Sequence, residues 1–399
     1  MNANFSRNAV VALIIVIAVI GYGSLFPFAF HVPTNGIGPF RTLLETRKLP
    51  PERGDFLVNV ALYLPLGFFG SLMTRQRWRT PWQMALAVSL GAILSIGIEL
   101  TQYYDQGRVT SANDVYANVI GTTLGALGEL VFGYRFRWPV MTASQSQPFP
   151  TLLLASWLGY RLYPFEPSLQ AHKYLDALKP IFLHPELPLY DFCRYTIMWV
   201  AVAALIESAT GQSRSRVVFP IFAGGALFAK LLVVTRSLAL AEIMGAATGY
   251  CIWLALIKHE TRQRAWLVML PLLSYVIAWR LEPFEFASHP RQFGWIPFYS
   301  LMNGSIEVNT QSLLEKSFYY GSLIWLSTET GLRIRTSTAL AASVLFVTSY
   351  LEMYLPDRSA ESTDAVMAVT IGLIAWYVKT CAGWFRTGNS QRVGCDERP

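Results

Sequence analysis

Unbroken apolar stretches of roughly membrane-spanning length recur along the whole chain, with short polar or Pro-rich segments between them. They predict helices near 8–28, 56–74, 83–103, 113–133, 150–165 and 191–208, and near 216–235, 239–257, 265–282, 317–331, 337–356 and 363–380. The other architecture that spans a bilayer is a closed β-barrel, whose strands alternate apolar and polar residues. Runs such as VVALIIVIAV do not alternate. The expected fold class is therefore an all-α polytopic membrane protein of about twelve transmembrane helices.

Two marks recur on this pattern. The first is a Pro-Phe pair after an apolar run: Pro27-Phe28 in SLFPFAF, Pro164-Phe165 in RLYPFEP and Pro283-Phe284 in RLEPFEF. The second is an Arg followed six residues later by an acid: Arg108/Asp114, Arg236/Glu242 and Arg358/Asp364. From Pro to acid the steps are 87, 78 and 81 residues. Same order and similar spacing, three times over, indicate a tripled four-helix unit. The expected divisions are 1–137, 138–260 and 261–385, followed by a tail at 386–399. An even number of helices per repeat makes the repeats parallel in the membrane.

Composition changes this picture little. The chain has 399 residues, 53% hydrophobic and 14% charged, with mean hydropathy +0.36, which excludes an ordinary soluble globule. The first apolar run follows Arg7 but no A-x-A-like cleavage site follows it, so it reads as a retained helix. Basic residues gather in alternate short connections: Arg75, Arg77 and Arg79, then Arg135 and Arg137, Arg214 and Arg216, Lys258 to Arg264, and Arg333 and Arg335. By the positive-inside rule both termini are cytoplasmic, and the three Arg-acid pairs face outward. The net charge of +7 then reports topology, and no basic stripe with interleaved aromatics points to nucleic acid. The long outer connections, 29–55, 166–190 and 285–316, are Pro- and aromatic-rich and are expected to pack over the helix ends.

The stretch from Asp55 to about Glu129 resembles the VanZ-like family. The residues that carry the likeness are Asp55 and Asn59 in GDFLVNVALYLPLGF, with Pro65 and Gly67, and Glu99 and Gln102 in SIGIELTQ. Arg108, Asp114 and Asn118 in GRVTSANDVYANVIG follow, with Gly121 and Gly125 behind them. The resemblance implies an integral membrane protein of the bacterial envelope, placed in the inner membrane. Founding members look like accessory factors for resistance to glycopeptide antibiotics such as teicoplanin; others accompany surface polysaccharide genes. It supplies a fold and a setting but no reaction.

The candidate site is the first repeat's polar set: Arg108, Glu99, Asp114, Gln102, Asn118, Asp55 and Asn59. Internal alignment pairs Glu99 with Lys230 and Glu352, and Asp114 with Glu242 and Asp364. It pairs Asn118 with Ala246 and Ala368, Asn59 with Tyr195 and Tyr319, and Asp55 with Asp191 and Glu315. Only the first repeat keeps the complete set. Charges at membrane depth cost about 2.5–3.5 kcal/mol each on insertion scales, so they face protein or water. A guanidinium fork at the outer leaflet suits phosphate or carboxylate. The expected ligand is thus an anionic lipid, such as a polyprenyl-phosphate carrier, or a lipid-linked saccharide. The structural alternative is a clip in which Arg108 pairs with Glu99 or Asp114, with Ser111 and Asp114 capping the helix. Two further functions stay open: a scaffold for envelope partner proteins, and an enzyme with Glu99 or Asp114 as general base. Gly121-xxx-Gly125 and Gly245-xxx-Gly249 read as close-packing motifs. The five histidines are scattered and no cofactor or metal is expected; Asp176, His184 and Asp191 form a weak alternative cluster. Cys193, Cys251, Cys381 and Cys395 imply no disulfide framework.

Overall fold

The computed structural model describes residues 3–33, 38–46, 53–74, 80–106, 108–132, 148–165, 174, 179, 181, 183, 185–233, 238–303, 305–356 and 358–393. A helix lies at each of the twelve predicted stretches. They are α1 (Ala3–Leu25), α3 (Arg53–Thr74), α4 (Thr80–Gln102), α5 (Ala112–Phe132), α6 (Pro148–Leu162) and α7 (Leu189–Thr210). The series continues with α8 (Gln212–Leu232), α9 (Leu240–Leu256), α10 (Thr261–Leu281), α12 (Ile306–Glu329), α13 (Ile334–Leu351) and α14 (Thr363–Val393). Short helices α2 (Pro39–Thr46) and α11 (Tyr299–Asn303) sit in long connections, and a 3-10 turn over Glu352–Tyr354 extends α13. No β-strand occurs among the described residues, only two isolated bridges. Six helices are long and apolar enough to cross a membrane: α3, α4, α7, α8, α10 and α13. Ala9–Leu25 and α9 are shorter apolar helices.

Two boundaries depart from the hydropathy reading: the last helix, expected at 363–380, runs on to Val393, through part of the expected tail. The helix expected at 317–331 begins at Ile306, because the polar segment Asn309 to Lys316 is already helical. Its carboxylate Glu315 pairs with Arg194 at 3.5 Å, so charge that depresses hydropathy is neutralised by a partner.

The chain forms two compact units, Met1–Pro139 and Val140–Pro399. In the first, α3 and α5 pack closely along their length, with α4 and α1 against them. Glycine sets that approach: a methyl at Gly121 or Gly125 would collide with the carbonyl oxygens of Val60 or Leu64 on α3. Leu13, Ile20, Tyr63, Leu66 and Ile98 fill the space beside it. At one end a buried carboxylate ties three helices, since Glu129 accepts from Ser71 Oγ at 3.0 Å and Gln83 Nε2 at 2.8 Å. In the second unit α6–α10 and α12–α14 share one core rich in aromatics, including Trp157, Trp199, Trp253, Phe318 and Tyr319. The segments 138–260 and 261–385 are therefore packed together in one unit. There, Gly245 and Gly249 of α9 bring that helix onto Tyr195 and Trp199 of α7.

The packing role of these glycines gives a direct prediction. Gly125→Leu forces α3 and α5 apart and lowers stability by about 3 kcal/mol. Gly128→Leu, where a Cβ meets open space, leaves it within about 0.5 kcal/mol. Thermal melts of the two variants check the contrast.

The three Pro-Phe marks adopt one backbone geometry. Each Pro follows a cis peptide bond, and the next residue, Phe28, Phe165 or Phe284, has φ of 64, 63 or 66°. Each Phe N–H donates to the carbonyl of Leu25, Leu162 or Leu281, at 2.9, 2.8 and 2.8 Å. The marks end α1, α6 and α10 and turn the chain into the connections. The connection after α1 is tied to the end of α4: His31 N–H donates to Tyr104 O, and Ala29 N–H to Asp105 Oδ1. The connection after α10 is tied to the end of α13 by Ala287 N–H on Tyr354 O, and to the segment before α14 by Gly294 N–H on Ala360 O.

Candidate functional site

In the first unit the candidate residues come from three helix ends that meet: the start of α3, the end of α4 and the start of α5. Asn59, one turn after Asp55 on α3, hydrogen-bonds the carboxylate of Asp114. Asp55 and Glu99 are both close enough to Asp114 to act on it electrostatically. Glu99 is only 3% exposed, and its Oε2 accepts the Ser111 N–H at 2.8 Å. That carboxylate caps the start of α5, where the first backbone N–H groups have no intrahelical partner. Gln102 donates to the carbonyl of Ser24 on α1 at 2.7 Å. One turn deeper, Asn118 donates to Ser95 Oγ at 2.9 Å. Its Oδ1 is buried without a hydrogen-bond partner. Asp55, Asn59, Glu99 and Asp114 thus come together, with Gln102 one turn after Glu99 on α4 and Asn118 one turn after Asp114 on α5. Among the described residues no Lys, Arg or His lies within 4 Å of a carboxylate of Asp55, Glu99 or Asp114.

Arg108 corrects the expected clip. It does not pair with Glu99 or Asp114. Its Nε donates to Phe26 O at 2.8 Å and its Nη2 to Gly23 O at 3.2 Å. Arg358 does the same on α10, with Nε on Glu282 O at 3.0 Å and Nη2 on Trp279 O at 3.0 Å. In each case the acceptors are the residue before the cis proline and the residue four before it. The physical reason is that helix C-termini leave carbonyls unsatisfied and carry partial negative charge, which a guanidinium fork meets with two bonds. Arg236 lies outside the described residues.

Glu242, Glu352 and Asp364 of the second unit have cations, of which the sequence had pointed only to Lys230. Glu242, 1% exposed, pairs with Arg161 of α6 and with Lys230 of α8. The Arg161 guanidinium also lies over the Tyr195 ring, 5.5 Å from its centroid. Asp364 pairs with Arg280 of α10 and with Lys316 at 2.8 Å. Arg280, 3% exposed, also reaches Glu352 at 3.1 Å, Thr348 Oγ1 at 2.7 Å, Ser349 Oγ at 2.8 Å and the Tyr320 hydroxyl at 2.8 Å. Every donor direction of that buried fork is used, which a charge removed from water requires. Arg161 and Arg280 stand three residues before Pro164 and Pro283; three before Pro27 stands Ser24. The first letters of SLFPFAF, RLYPFEP and RLEPFEF already carried this difference.

Other groupings do not assemble. No set of three His, Cys, Asp or Glu side chains among the described residues is placed to hold a metal ion. Asp176 and His184 lie outside the described residues, as does His172. Cys193 and Cys251 are both exposed free thiols.

These features define a helical membrane protein whose first unit presents a carboxylate- and amide-rich patch at the meeting of three helix ends. Residues 9–133 match the family model described as VanZ/LLP1, so the chain carries a VanZ-like module over that segment, in agreement with the likeness read from residues 55–129. No curated protein and no solved structure matches the chain.

Proposed function

We propose that this is a VanZ-like multi-pass protein of the bacterial inner membrane whose first unit binds, or moves, the head group of an anionic lipid or lipid-linked saccharide at the outer leaflet. In this reading the twelve helices all span, both termini are cytoplasmic, and the chain is three four-helix repeats. The shared geometry of the Pro-Phe turns and the matched carbonyl contacts of Arg108 and Arg358 support the tripled unit. The observation that carries the binding reading is the contrast in charge. Glu242, Glu352 and Asp364 of the second unit are paired within their own chain, whereas Glu99 and Asp114, the aligned acids of the first, keep no cation within 4 Å among the described residues. Arg108 is exposed and spends two of its donors on carbonyls, so its remaining N–H groups are available to a phosphate. The carboxylates of the first unit and the amides of Asn59 and Gln102 offer the acceptors and donors that saccharide hydroxyls need.

The test is ligand-dependent melting. Extracted envelope lipid raises the melting temperature of wild type, and the double variant Glu99→Gln/Asp114→Asn loses at least about tenfold in affinity, which one charge-assisted contact accounts for. An equal shift in both proteins would count against the binding reading. A second reading, a scaffold for envelope partner proteins, is favoured by the use of Arg108 and Arg358 as helix-end clips. It expects the double variant to change stability without changing any lipid response.

A further inference from the structure

We infer that the head group taken by the first unit carries a protonated amine, which occupies between Glu99 and Asp114 the place that Arg161 and Arg280 occupy in the second unit. This rests on the binding reading above and specifies its ligand. Three aligned positions surround the cation in the second unit. Arg161 sits between Tyr195, which aligns with Asn59, and Glu242, which aligns with Asp114; Lys230, which aligns with Glu99, completes the group. Arg280 sits between Asp364, which aligns with Asp114, and Glu352, which aligns with Glu99, and reaches Thr348 one turn before Glu352. In the first unit the corresponding residue is Ser24, and it is at the right place: its carbonyl accepts from Gln102, one turn beyond Glu99 on α4. A serine cannot reach in as an arginine does. The acids remain, and among the described residues no cation lies within 4 Å of them.

An independent observation points the same way. Asn118 is 4% exposed, and its Oδ1 has no hydrogen-bond partner. It lies one turn below Asp114 on the same face of α5, and its Nδ2 is held by Ser95, one turn below Glu99. That leaves a buried acceptor one turn along α5 from Asp114, held to a residue one turn along α4 from Glu99. An unsatisfied acceptor of this kind costs about 1–3 kcal/mol until a donor arrives. The aligned residues Ala246 and Ala368 are apolar. A primary ammonium brings three donors and one positive charge, which matches two carboxylates and one amide oxygen. Together with Arg108 for a phosphate, the ligand is an amine-bearing phosphorylated head group, such as an ethanolamine phosphate or an amino sugar on a lipid phosphate.

The experiment uses full-length protein in nanodiscs of phosphatidylglycerol doped with phosphatidylethanolamine or with its N-acetylated form, which keeps the phosphate and removes the ammonium charge. Lipid retention is read by native mass spectrometry. Wild type keeps the free amine at least about tenfold over the acetylated lipid. Ser24→Arg, which copies the second unit, abolishes that preference and melts higher than wild type. Glu99→Lys, which copies Lys230, abolishes it as well and serves if Ser24→Arg fails to fold. Free phosphoethanolamine competing as well as the lipid would assign the amine to a soluble source and keep the inference. Equal retention of both lipids by wild type overturns it; the binding reading then still stands if Glu99→Gln/Asp114→Asn loses envelope lipid, and falls if that variant does not.

Discussion

Arg280→Leu is expected to prevent the second unit from holding its fold, with a loss of about 3–5 kcal/mol, the range measured when one partner of a buried ion pair is removed. The variant leaves Glu352 without its only cation among the described residues and Asp364 with Lys316 alone. It also strips partners from Thr348, Ser349 and Tyr320 at a site already 3% exposed. Arg280→Lys keeps the charge but cannot present a planar fork to two carboxylates and three hydroxyls, so it falls between wild type and Leu. Adding Glu352→Leu to Arg280→Leu removes one stranded carboxylate and recovers part of the loss. Detergent-solubilised melts of the series test this order. A melt of Arg280→Leu within about 0.5 kcal/mol of wild type would mean that water reaches the cluster.

The second large effect separates two arginines with the same main-chain contacts. Arg108→Ala and Arg358→Ala each free two helix-end carbonyls, and each is expected to cost about 2 kcal/mol, as hydrogen bonds from a charged donor do. Stability alone would make them equivalent. Function should not: Arg108 belongs to the unit whose Glu99 and Asp114 have no cation within 4 Å among the described residues, whereas Arg358 belongs to the unit whose Glu352 and Asp364 are paired with Arg280 and Lys316. Per folded molecule, Arg108→Ala therefore loses bound envelope lipid and Arg358→Ala retains it. Lipid quantitation after purification checks this, and parallel loss in both would assign the arginines to architecture only.

Much of this was legible in the sequence, and what escaped has a physical explanation. Apolar runs located the helices because a spanning segment must satisfy its own backbone. Gly121 and Gly125 announced the tight α3–α5 contact because only a missing side chain permits it. Asp55, Asn59, Glu99 and Asp114 were marked by the VanZ-like resemblance, Asp114 also by its spacing from Arg108, and the fold brings their helix ends together. The partners were harder. Arg108 pairs with carbonyls, which every residue carries, so no residue type marks the acceptor. Arg161 and Arg280 were hidden inside marks read for their Pro and Phe, although each is one long side chain from an acid about 80 residues away in sequence. The early start of α12 escaped because its charges are paired, and hydropathy counts a paired charge as an exposed one.

The central claim is that the first unit keeps its acids free for a ligand. Native mass spectrometry of the protein released from its own membrane tests it most directly, with wild type beside Glu99→Gln/Asp114→Asn. The account predicts a bound phosphorylated lipid on wild type that is absent from the double variant, while both remain folded. Only bulk phospholipid, held equally by both, would contradict it.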